Sequence, residues 1–419
     1  MKESRYNKNI CLKNGKRYLY NLRTQALILV DDDFVQRIDN LNNEYRSLLI
    51  ENEFLLQDDL DELKILKRDY YSTIINSKEI HISVMTTLNC NFRCTYCFER
   101  KTDSFAKADL ILQIEKLIYE YIDNIKIVTI DWYGGEPLMN YRFIESSSLK
   151  IKEFCKKNNL LYNASITTNG YLLTEKIAKN LSELNVTSAQ ISIDGPQETH
   201  DQRRFLLNGA GTFDMIVENC LNAQKYIHID IRVNIDKVNY KSVFSLLEMF
   251  SNQPTENISF IFNGVVSSNE NPLKNGEELS GEELSDCIYN LNKYAFDNGL
   301  DIGILKIFDA TKNYFCVVDS LSQFIITPDG RVFKCGESYT SDDKGCIGNI
   351  YNSPQIDEVK LSEWFKDPFV DDKCKSCKIL PMCYGGCQMK KRNKLTCCPD
   401  DIKYHIDDYI RLYISMLED

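Results

Sequence analysis

Between residues 79 and 305, short β-rich runs alternate with stretches of helical length, and this alternation constrains the fold more than any other feature of the sequence. The strand candidates span residues 80–85, 127–132, 162–167, 188–193, 229–234 and 257–262. Helical periodicity lies between them, at 106–125, 141–157, 175–184, 213–226 and 240–250. Parallel neighbours need a crossover, which each helix supplies. We therefore predict an α/β fold with a parallel sheet, as a partial or full barrel or a doubly wound sheet.

Two flanking segments differ from this central region. Residues 1–78 combine two short strand candidates within 17–30 with helical stretches at 34–41 and 58–71, which predicts a small α+β module. From residue 306 onward the helical periodicity fades, cysteines become frequent, and only 401–416 is again helical. Because this last segment has little apolar core, we expect metal to stabilise it. We predict three domains, at 1–78, 79–305 and 306–419.

Charge and hydropathy exclude several classes of protein. Asp and Glu number 61 against 50 Lys and Arg, which gives a formal net charge of −11. An acidic surface repels phosphate backbones and anionic headgroups, so we expect no nucleic-acid and no membrane partner. No segment approaches the roughly 20 apolar residues that span a bilayer, and residues 1–20 carry no secretory signal. We expect a cytoplasmic protein.

Cysteine usage is the anomaly of the composition. In a reducing setting, the 16 cysteines favour metal or redox roles over disulfides. Five cysteines are scattered and are predicted to pack in the core: Cys11, Cys155, Cys220, Cys287 and one of Cys397 and Cys398. The others concentrate in two groups, which indicates ligation.

The first group, C-x3-C-x2-C at residues 90–97, follows the first strand candidate. Its three thiolates can bind three irons of a [4Fe-4S] cluster and leave the fourth iron open. A zinc site with a distant fourth ligand is the alternative. The turn GGEP at 134–137 follows the second strand candidate. Its glycines allow close backbone approach to a ligand, and its carboxylate can accept hydrogen bonds from an ammonium group.

Together, these two motifs closely resemble those of the radical S-adenosylmethionine (radical SAM) enzymes. The resemblance implies a partial (β/α)6 TIM-like barrel in which Cys90, Cys94 and Cys97 hold the cluster. The open iron would bind the amino and carboxylate groups of S-adenosylmethionine, and the GGEP-like motif would contact the amino group. TNG at 168–170, SIDG at 192–195 and HDQRR at 200–204 also fit the family.

The resemblance further implies roles for individual residues at these strand ends. Ser192 and Arg204 are expected to hold the carboxylate of S-adenosylmethionine, Arg204 through a bidentate pair. Tyr96 is expected near the adenine. The full set of expected cofactor-binding residues is Tyr96, Gly134, Gly135, Glu136, Asn169, Ser192, Asp194 and Arg204.

The second group of cysteines resembles the SPASM domain that some radical SAM enzymes carry. It consists of C-x2-C-x5-C-x3-C at 374–387, preceded by Cys316 and by G-x4-C at 330–335 and followed by two adjacent cysteines at 397–398. The resemblance implies two auxiliary [4Fe-4S] clusters, with a pair of structural zinc sites as the alternative. The distal cluster would take Cys374, Cys377, Cys383 and either Cys397 or Cys398. The proximal cluster would take Cys316, Cys335 and Cys387, with Cys346 as a fourth ligand or with none.

The chemistry implied by the family is reductive cleavage of S-adenosylmethionine, with an electron donor such as flavodoxin or ferredoxin. This gives methionine and a 5′-deoxyadenosyl radical, which abstracts hydrogen from an unactivated C–H bond. SPASM enzymes mostly modify peptides or proteins, so we expect a ribosomally made precursor peptide as partner. The N-terminal module resembles leader-recognition domains that bind peptides at a sheet edge, although a structural cap is the alternative.

We expect formation of a thioether between a Cys sulfur and a carbon. A sister group oxidises Cys or Ser of sulfatases to formylglycine, and there an Asp directly follows the Cys of the G-x4-C element. Here Gly336 stands at that position and Glu337 comes next. Formylglycine formation is therefore our second hypothesis, and no catalytic residue is assigned. A zinc-stapled binding protein without redox chemistry is the hypothesis from another class.

Overall fold

The computed structural model describes residues 1–30, 43–265, 277–308, 316–339, 345–365, 367–393, 397–399 and 402–418. They divide into two compact units. The smaller comprises Met1–Asn76, Ile304–Ser320 and Lys366–Asp419, and the larger comprises Ser77–Gly303 and Leu321–Phe365. The helix predicted at 34–41 lies outside the described residues, and the division into three domains stays a prediction.

The described elements are numbered here in chain order. The strands are β1 (Lys2–Glu3), β2 (Asn7–Cys11), β3 (Arg17–Asn21), β4 (Leu27–Val30), β5 (Leu55–Leu56), β6 (Glu79–Thr87), β7 (Ile127–Gly134), β8 (Leu161–Thr168), β9 (Val186–Ser192), β10 (His228–Ile235), β11 (Ile258–Gly264), β12 (Asp301–Ile302), β13 (Gln323–Ile326), β14 (Arg331–Phe333) and β15 (Cys346–Asn349). The α-helices are α1 (Asn43–Glu51), α2 (Glu62–Ile75), α3 (Leu110–Glu120), α4 (Tyr141–Lys157), α5 (Glu175–Glu183), α6 (Gln197–Arg203), α7 (Phe213–Ala223), α8 (Tyr240–Ser251), α9 (Gly281–Asp297), α10 (Glu358–Ser362), α11 (Asp372–Ser376), α12 (Leu380–Cys383), α13 (Gln388–Arg392) and α14 (Ile406–Glu418).

A mixed sheet forms the centre of the larger unit. Its strand order is β12-β11-β10-β9-β8-β7-β6-β13-β14-β15. Strands β6 to β11 are neighbours in chain order and run parallel, each joined to the next by a helical crossover. The α/β class with a large parallel sheet is therefore confirmed, and each of the six predicted strands has its counterpart. Strand β13 adds a parallel neighbour to β6, and β14 and β15 continue the sheet antiparallel.

The two faces of this sheet have opposite character. On the face under the crossover helices, Ile80, Ile82 and Val84 of β6 have no exposed surface, and the later strands follow the same pattern. Such burial of branched side chains is the main stabilising term of the unit. We call the opposite face the polar face. Its polar members, taken from strand alternation and register, are Glu79, His81, Ser83, Thr129, Asp131, Asn163, Ser165, Thr167, Ser188, Gln190, Ser192, His228, Asp230, Arg232, Asn234, Ser259 and Asn263.

The helices cover the apolar face as their periodicity predicts. In α4, Phe143, Ile144, Ile151 and Cys155 are buried and project from one side of the helix. Cys155 and Cys220 lie in the core as predicted. The prediction was wrong for Cys11, which is exposed because it ends the edge strand β2.

The smaller unit contains a three-stranded antiparallel sheet in the order β2-β3-β4. The strand pair predicted within 17–30 is thus present, and β2 adds a third strand. The core of this module joins Leu19 and Val30 of the sheet to Leu49, Phe54 and Leu55. The C-terminal helix α14 belongs to the same unit. Among the residues that the structure describes, no helix combines the length and apolarity needed to cross a bilayer.

Candidate functional site

The first group of cysteines lies on the loop that leaves β6. The backbone of this loop is fixed by the end of α6 and the residues that follow it, because Thr95 N donates to Arg203 O at 3.0 Å and Arg93 N donates to Phe205 O at 2.8 Å. Cys90 is buried, and burial raises the pKa of its thiol to about 12. Burial also raises the pKa of Cys97. Thiols of this kind ionise only with a cationic partner, which a bound metal cluster provides.

The glycine turn packs backbone against backbone on the same loop. Gly135 N donates to Thr87 O and Glu136 N donates to Asn89 O, both at 2.9 Å. A Cβ atom on Gly135 would lie 2.2 Å from Asn89 O, and one on Gly134 would lie 2.3 Å from Thr87 O. The two glycines were predicted to allow close approach of a ligand. In this structure they allow close approach of the backbone that leads into the cysteine loop.

The carboxylate of Glu136 is held by groups of its own chain. Its Oε1 accepts from Leu138 N at 3.0 Å and from the Thr168 hydroxyl at 2.7 Å. Its Oε2 accepts from Asn169 N at 2.7 Å. Burial raises the pKa of Glu136, while the hydrogen bond from Asn169 opposes that shift. This carboxylate thus joins the ends of β7 and β8, so a ligand on this turn meets backbone groups.

Tyr96 lies at the centre of a buried hydrogen-bond network. Its hydroxyl group donates to the Asp194 carboxylate and accepts from Arg204 Nη1 at 2.8 Å and from Asn234 Nδ2 at 3.2 Å. Asn234 N donates to Asp194 Oδ1 at 3.0 Å. The network therefore brings together three predicted residues from the cysteine loop, the end of β9 and the end of α6, namely Tyr96, Asp194 and Arg204.

The two adjacent arginines of the network differ in their partners. Arg203 pairs with Asp236, with Nη1 to Oδ2 at 2.7 Å. Arg204 is buried, yet its Nε has no hydrogen-bond partner among the described residues. Burial lowers the pKa of Arg204, but Cys94 and Tyr96 more than compensate, so the net shift is upward. A buried guanidinium with an unused donor beside the cysteine loop fits an anionic group of a ligand.

Two further predicted residues flank this network. Asn169 donates from Nδ2 to Asn91 Oδ1 at 2.7 Å and thereby ties the end of β8 to the cysteine loop. Ser192 ends β9 and is paired in register with Arg232 of β10. Seven of the eight predicted cofactor-binding residues thus lie at the carboxyl ends of β6 to β9 or on the loops that follow them, where parallel α/β sheets bind ligands. The eighth, Arg204, follows α6 and joins them through its hydrogen bond to Tyr96.

In the smaller unit, the C-terminal cysteines gather around a reversal of the chain. Tyr384, Gly385 and Gly386 have positive φ values of 41°, 85° and 72°, so the segment after α12 turns back sharply. Cys387 N donates to Cys397 O at 3.0 Å. Burial raises the pKa of Cys383 to about 12, and its neighbours Cys377, Cys374 and Cys398 affect it further. Cys374 is influenced by both Cys397 and Cys398.

The remaining predicted ligands are divided between the units. Cys316 and Cys387 belong to the smaller unit, and Cys335 and Cys346 belong to the larger. Cys346 begins β15 and packs against the cluster of Met85, Phe333 and Tyr339. Over the described residues, no three Cys, His, Asp or Glu side chains share a geometry for a single metal ion. In an iron–sulfur cluster each thiolate binds a different iron, so its ligands are spaced more widely than those of one ion.

Sequence reasoning missed two carboxylates near this site. Glu99, two residues after Cys97, lies beside the phenols of Tyr133 and Tyr339, and burial raises its pKa to about 7. Asp131 lies on the polar face, in the middle of β7, and is the one charged residue of that strand. A lone Asp in a parallel strand was the available signal, because such strands are near-continuous apolar runs when both faces are packed.

Comparison with known proteins agrees with this geometry. A family model described as the radical SAM superfamily matches residues 84–250. The chain is an enzyme that carries a radical SAM domain. Members of this superfamily use a [4Fe-4S] cluster and S-adenosylmethionine. In this enzyme the matched region runs from β6 through most of α8, which includes the cysteine loop, the glycine turn and the Tyr96 network.

Individual relatives extend the similarity beyond that region. The cysteine-type anaerobic sulfatase-maturating enzyme of Clostridium novyi is 27% identical over 334 residues, which cover 72% of this radical SAM enzyme and 86% of the relative. The structure of native anSMEcpe with bound AdoMet and the Cp18Cys peptide has a TM-score of 0.63 at 22% identity, covering 81% of this chain and 99% of that one. Streptococcus suis SuiB bound to precursor peptide SuiA has a TM-score of 0.54 at 15% identity, covering 95% and 98%. These two likenesses show the fold.

Proposed function

We propose that this radical SAM enzyme modifies a peptide, by hydrogen abstraction from a residue presented to the polar face. The observation that carries the proposal is the Arg204 guanidinium, buried beside the cysteine loop with an unused Nε donor. Cys90, Cys94 and Cys97 would hold the cluster, and Arg204 would bind the carboxylate of S-adenosylmethionine. When bound, this pair would supply a 5′-deoxyadenosyl radical able to abstract hydrogen from an unactivated C–H bond.

A peptide substrate is supported by two features of different kinds. The Clostridium relative is a sulfatase-maturating enzyme, so its substrate is a protein. The polar face offers hydroxyl, amide and carboxylate groups where a packed barrel carries branched aliphatic residues, and such groups can bind a peptide backbone. The partner is therefore proposed to be a precursor peptide.

We propose a thioether between a Cys sulfur and a carbon as the product. The C–H hydrogen would leave with the deoxyadenosyl group, the thiol proton would pass to solvent, and the one remaining electron would need an acceptor. Two auxiliary clusters held by the C-terminal cysteines would accept it, and an external flavodoxin or ferredoxin would complete the circuit. In the distal set, the fourth ligand would be either Cys397 or Cys398.

Oxidation of Cys or Ser to formylglycine is the second candidate, because relatives are named for sulfatase maturation. One feature opposes this candidate. The position directly after Cys335, where sulfatase-maturating enzymes have an Asp, is Gly336, and the next carboxylate, Glu337, is exposed. The two products differ chemically. A thioether removes two hydrogen atoms and one alkylatable thiol from the peptide, whereas formylglycine is an aldehyde that reacts with hydrazines.

The N-terminal module is proposed to bind the leader of the precursor. Of the described strands only β3 pairs with β4, and Leu29 on β4 is 55% exposed. A leader could add a strand beside β4 and cover this side chain. Leu29→Lys should weaken binding of the full precursor while leaving binding of a leaderless core peptide unchanged. Equal loss for both peptides would contradict the assignment.

The function is tested by anaerobic reconstitution of the wild type and of Cys94→Ala/Cys97→Ala. About twelve irons are expected in the wild type and about eight in the double variant, if each of three clusters holds four. After reduction and addition of S-adenosylmethionine, only the wild type should form 5′-deoxyadenosine. A zinc-loaded protein that forms no nucleoside would overturn the proposal and favour a metal-stapled binding protein.

A further inference from the structure

Asp131 is a carboxylate on the polar face that has hydrogen-bond donors but no cation. It lies in register between Ser83 of β6 and Ser165 of β8. Ser165 Oγ donates to its Oδ1 at 3.0 Å, and Ser83 Oγ lies 3.5 Å from its Oδ2. Two hydroxyl groups fill only part of the four acceptor positions of a carboxylate. Asp131 thus retains capacity for a donor that the described residues do not supply.

The other carboxylates on the polar face differ from Asp131 in their partners or in their position. Asp230 accepts from Ser259 Oγ at 2.6 Å and lies 3.3 Å from His228 Nε2. Glu79 accepts from the Thr129 hydroxyl and lies at the opposite end of its strand from the cysteine loop. Asp131 is therefore the carboxylate nearer the cysteine end of this face that has neither a histidine nor a cation partner among the described residues.

No arginine or lysine of the described strands offsets that charge. Arg232 is the one such cation on the polar face of β6 to β11, and its Nε donates to Asn234 Oδ1 at 2.9 Å. No ion pair joins Arg232 to Asp131 within the described residues. Asp131 is partly buried, and partial burial of a carboxylate without a cation costs free energy. Such a group is a candidate for a functional role.

We propose that Asp131 binds a cationic side chain, Lys or Arg, of the peptide substrate and thereby selects substrates with a positive charge near the modified residue. The inference rests on the proposed peptide substrate. Asp131 precedes the Gly134–Gly135 turn by three residues on the same strand, so the cation would enter the polar face just below the ligand-binding strand ends. The positive charge would neutralise a carboxylate that has only serine partners, and a neutral side chain of equal length would not.

The test uses the reconstituted enzyme with S-adenosylmethionine and without reductant, so that binding is measured without turnover. Two pools of short N-acetylated peptides with a central Cys serve as probes. One pool carries Lys at a position flanking the Cys, and the other carries norleucine there, which keeps the methylene chain and removes the charge. Peptides retained by the enzyme are separated by ultrafiltration and quantified by mass spectrometry.

The wild type should retain the Lys pool about tenfold more than the norleucine pool, since a charge-assisted hydrogen bond contributes on the order of one such factor. Asp131→Asn should abolish the preference, and Asp131→Lys should shift it to a matched Glu pool. Asp230→Asn is the control, because Asp230 already has partners, and it should keep the preference for Lys. Equal retention of both pools by the wild type, or an unchanged preference in Asp131→Asn, would overturn the inference.

The two proposals fail in different ways. If the reduced wild type forms no 5′-deoxyadenosine but still selects the Lys pool through Asp131, the radical function falls and the binding site stands. If the nucleoside forms and neither pool is selected, the function stands and the role of Asp131 falls.

Discussion

His200 and Asp194 are joined by a hydrogen bond from the Asp194 backbone N to His200 Nδ1, at 3.3 Å. Because Nδ1 accepts this bond, the ring carries its proton on Nε2, which lies 3.1 Å from the Thr212 hydroxyl. That hydroxyl donates onward to Arg204 O at 2.7 Å. A neutral histidine with no exposed surface therefore supports the backbone of the arginine that we assign to the ligand.

The first prediction concerns pH and His200. Burial lowers the pKa of His200 to about 4 from 6.5, so below pH 6.5 the unfolded chain takes up a proton that the folded chain refuses. The contribution of His200 to the free energy of unfolding is fully present above about pH 6.5. It falls as the pH drops toward 4, and roughly 2 kcal/mol is lost near pH 4.5. His200→Gln, which can accept at Oε1 and donate from Nε2, should lose this part of the acid sensitivity. Urea unfolding at several pH values measures the difference, and parallel curves for both proteins would contradict it.

Asp131 should have the opposite dependence. Burial raises its pKa to about 6 from 3.8, so the folded state binds the proton more tightly than the unfolded chain. The contribution of protonated Asp131 to the free energy of unfolding is therefore present below about pH 3.8 and is lost as the pH rises through about 6. Asp131→Asn should therefore be more stable than the wild type above pH 6 and similar near pH 4. Thermal unfolding of both proteins across this range is the measurement, and a variant that is less stable at pH 7 would refute the prediction.

Arg204 should determine affinity for S-adenosylmethionine. Arg204→Gln removes the buried charge and its unused donor, and we expect the dissociation constant to rise roughly 10- to 100-fold, the value of one hydrogen bond to a charged group. Equilibrium binding to the reconstituted enzyme gives the result. Arg68→Gln is the control, because the Arg68 side chain is 72% exposed. Equal affinities for Arg204→Gln and the control would exclude this role.

Gly135→Ala should impair the cysteine loop by steric overlap. The new Cβ atom would meet Asn89 O at 2.2 Å, whereas the matched Gly336→Ala meets no atom closer than 3.8 Å. Overlap with a backbone atom costs about 1–3 kcal/mol and shifts the loop. Iron content per chain and the unfolding midpoint should therefore fall for Gly135→Ala and stay near wild type for Gly336→Ala. Similar results for both alanines would show that the close approach is not required.

The adjacent cysteines 397 and 398 should differ in their effect on iron content. We expect one of the variants Cys397→Ser and Cys398→Ser to lose about four irons, the content of one cluster, and the other to keep the distal cluster. Iron and sulfide analysis of the two single variants identifies the ligand, and equal iron content in both would contradict a distal cluster closed by one of these cysteines.

The strands were predictable because their apolar side packs under helices, which leaves a strong signal in the sequence. Helix α6 was not, since its buried residues His200 and Arg203 are polar and are satisfied by partners distant in sequence. Strand β13 was missed for a related reason: four residues of a segment rich in turns pair with β6 across more than two hundred positions. The predicted start of α3 at 106 is four residues early, because the described helix begins at Leu110.

The candidate site also has features that the sequence predicts and features that it does not. The spacing of cysteines and glycines was visible, because short motifs fold locally. The hydrogen bonds of Glu136 to its own chain and the isolation of Asp131 depend on which strands are neighbours, and no local pattern encodes that.

The polar face has a consequence for how enzymes of this shape diversify. Ile80, Ile82 and Val84 and their counterparts on the other strands pack on the opposite side of the sheet. The residues that stabilise the fold and those that we propose to contact a substrate are therefore different positions of the same strands. Mutations at Ser83, Asp131 or Ser165 can therefore accumulate at little cost to folding. A lineage can exchange one substrate for another while the scaffold and its radical chemistry are inherited unchanged.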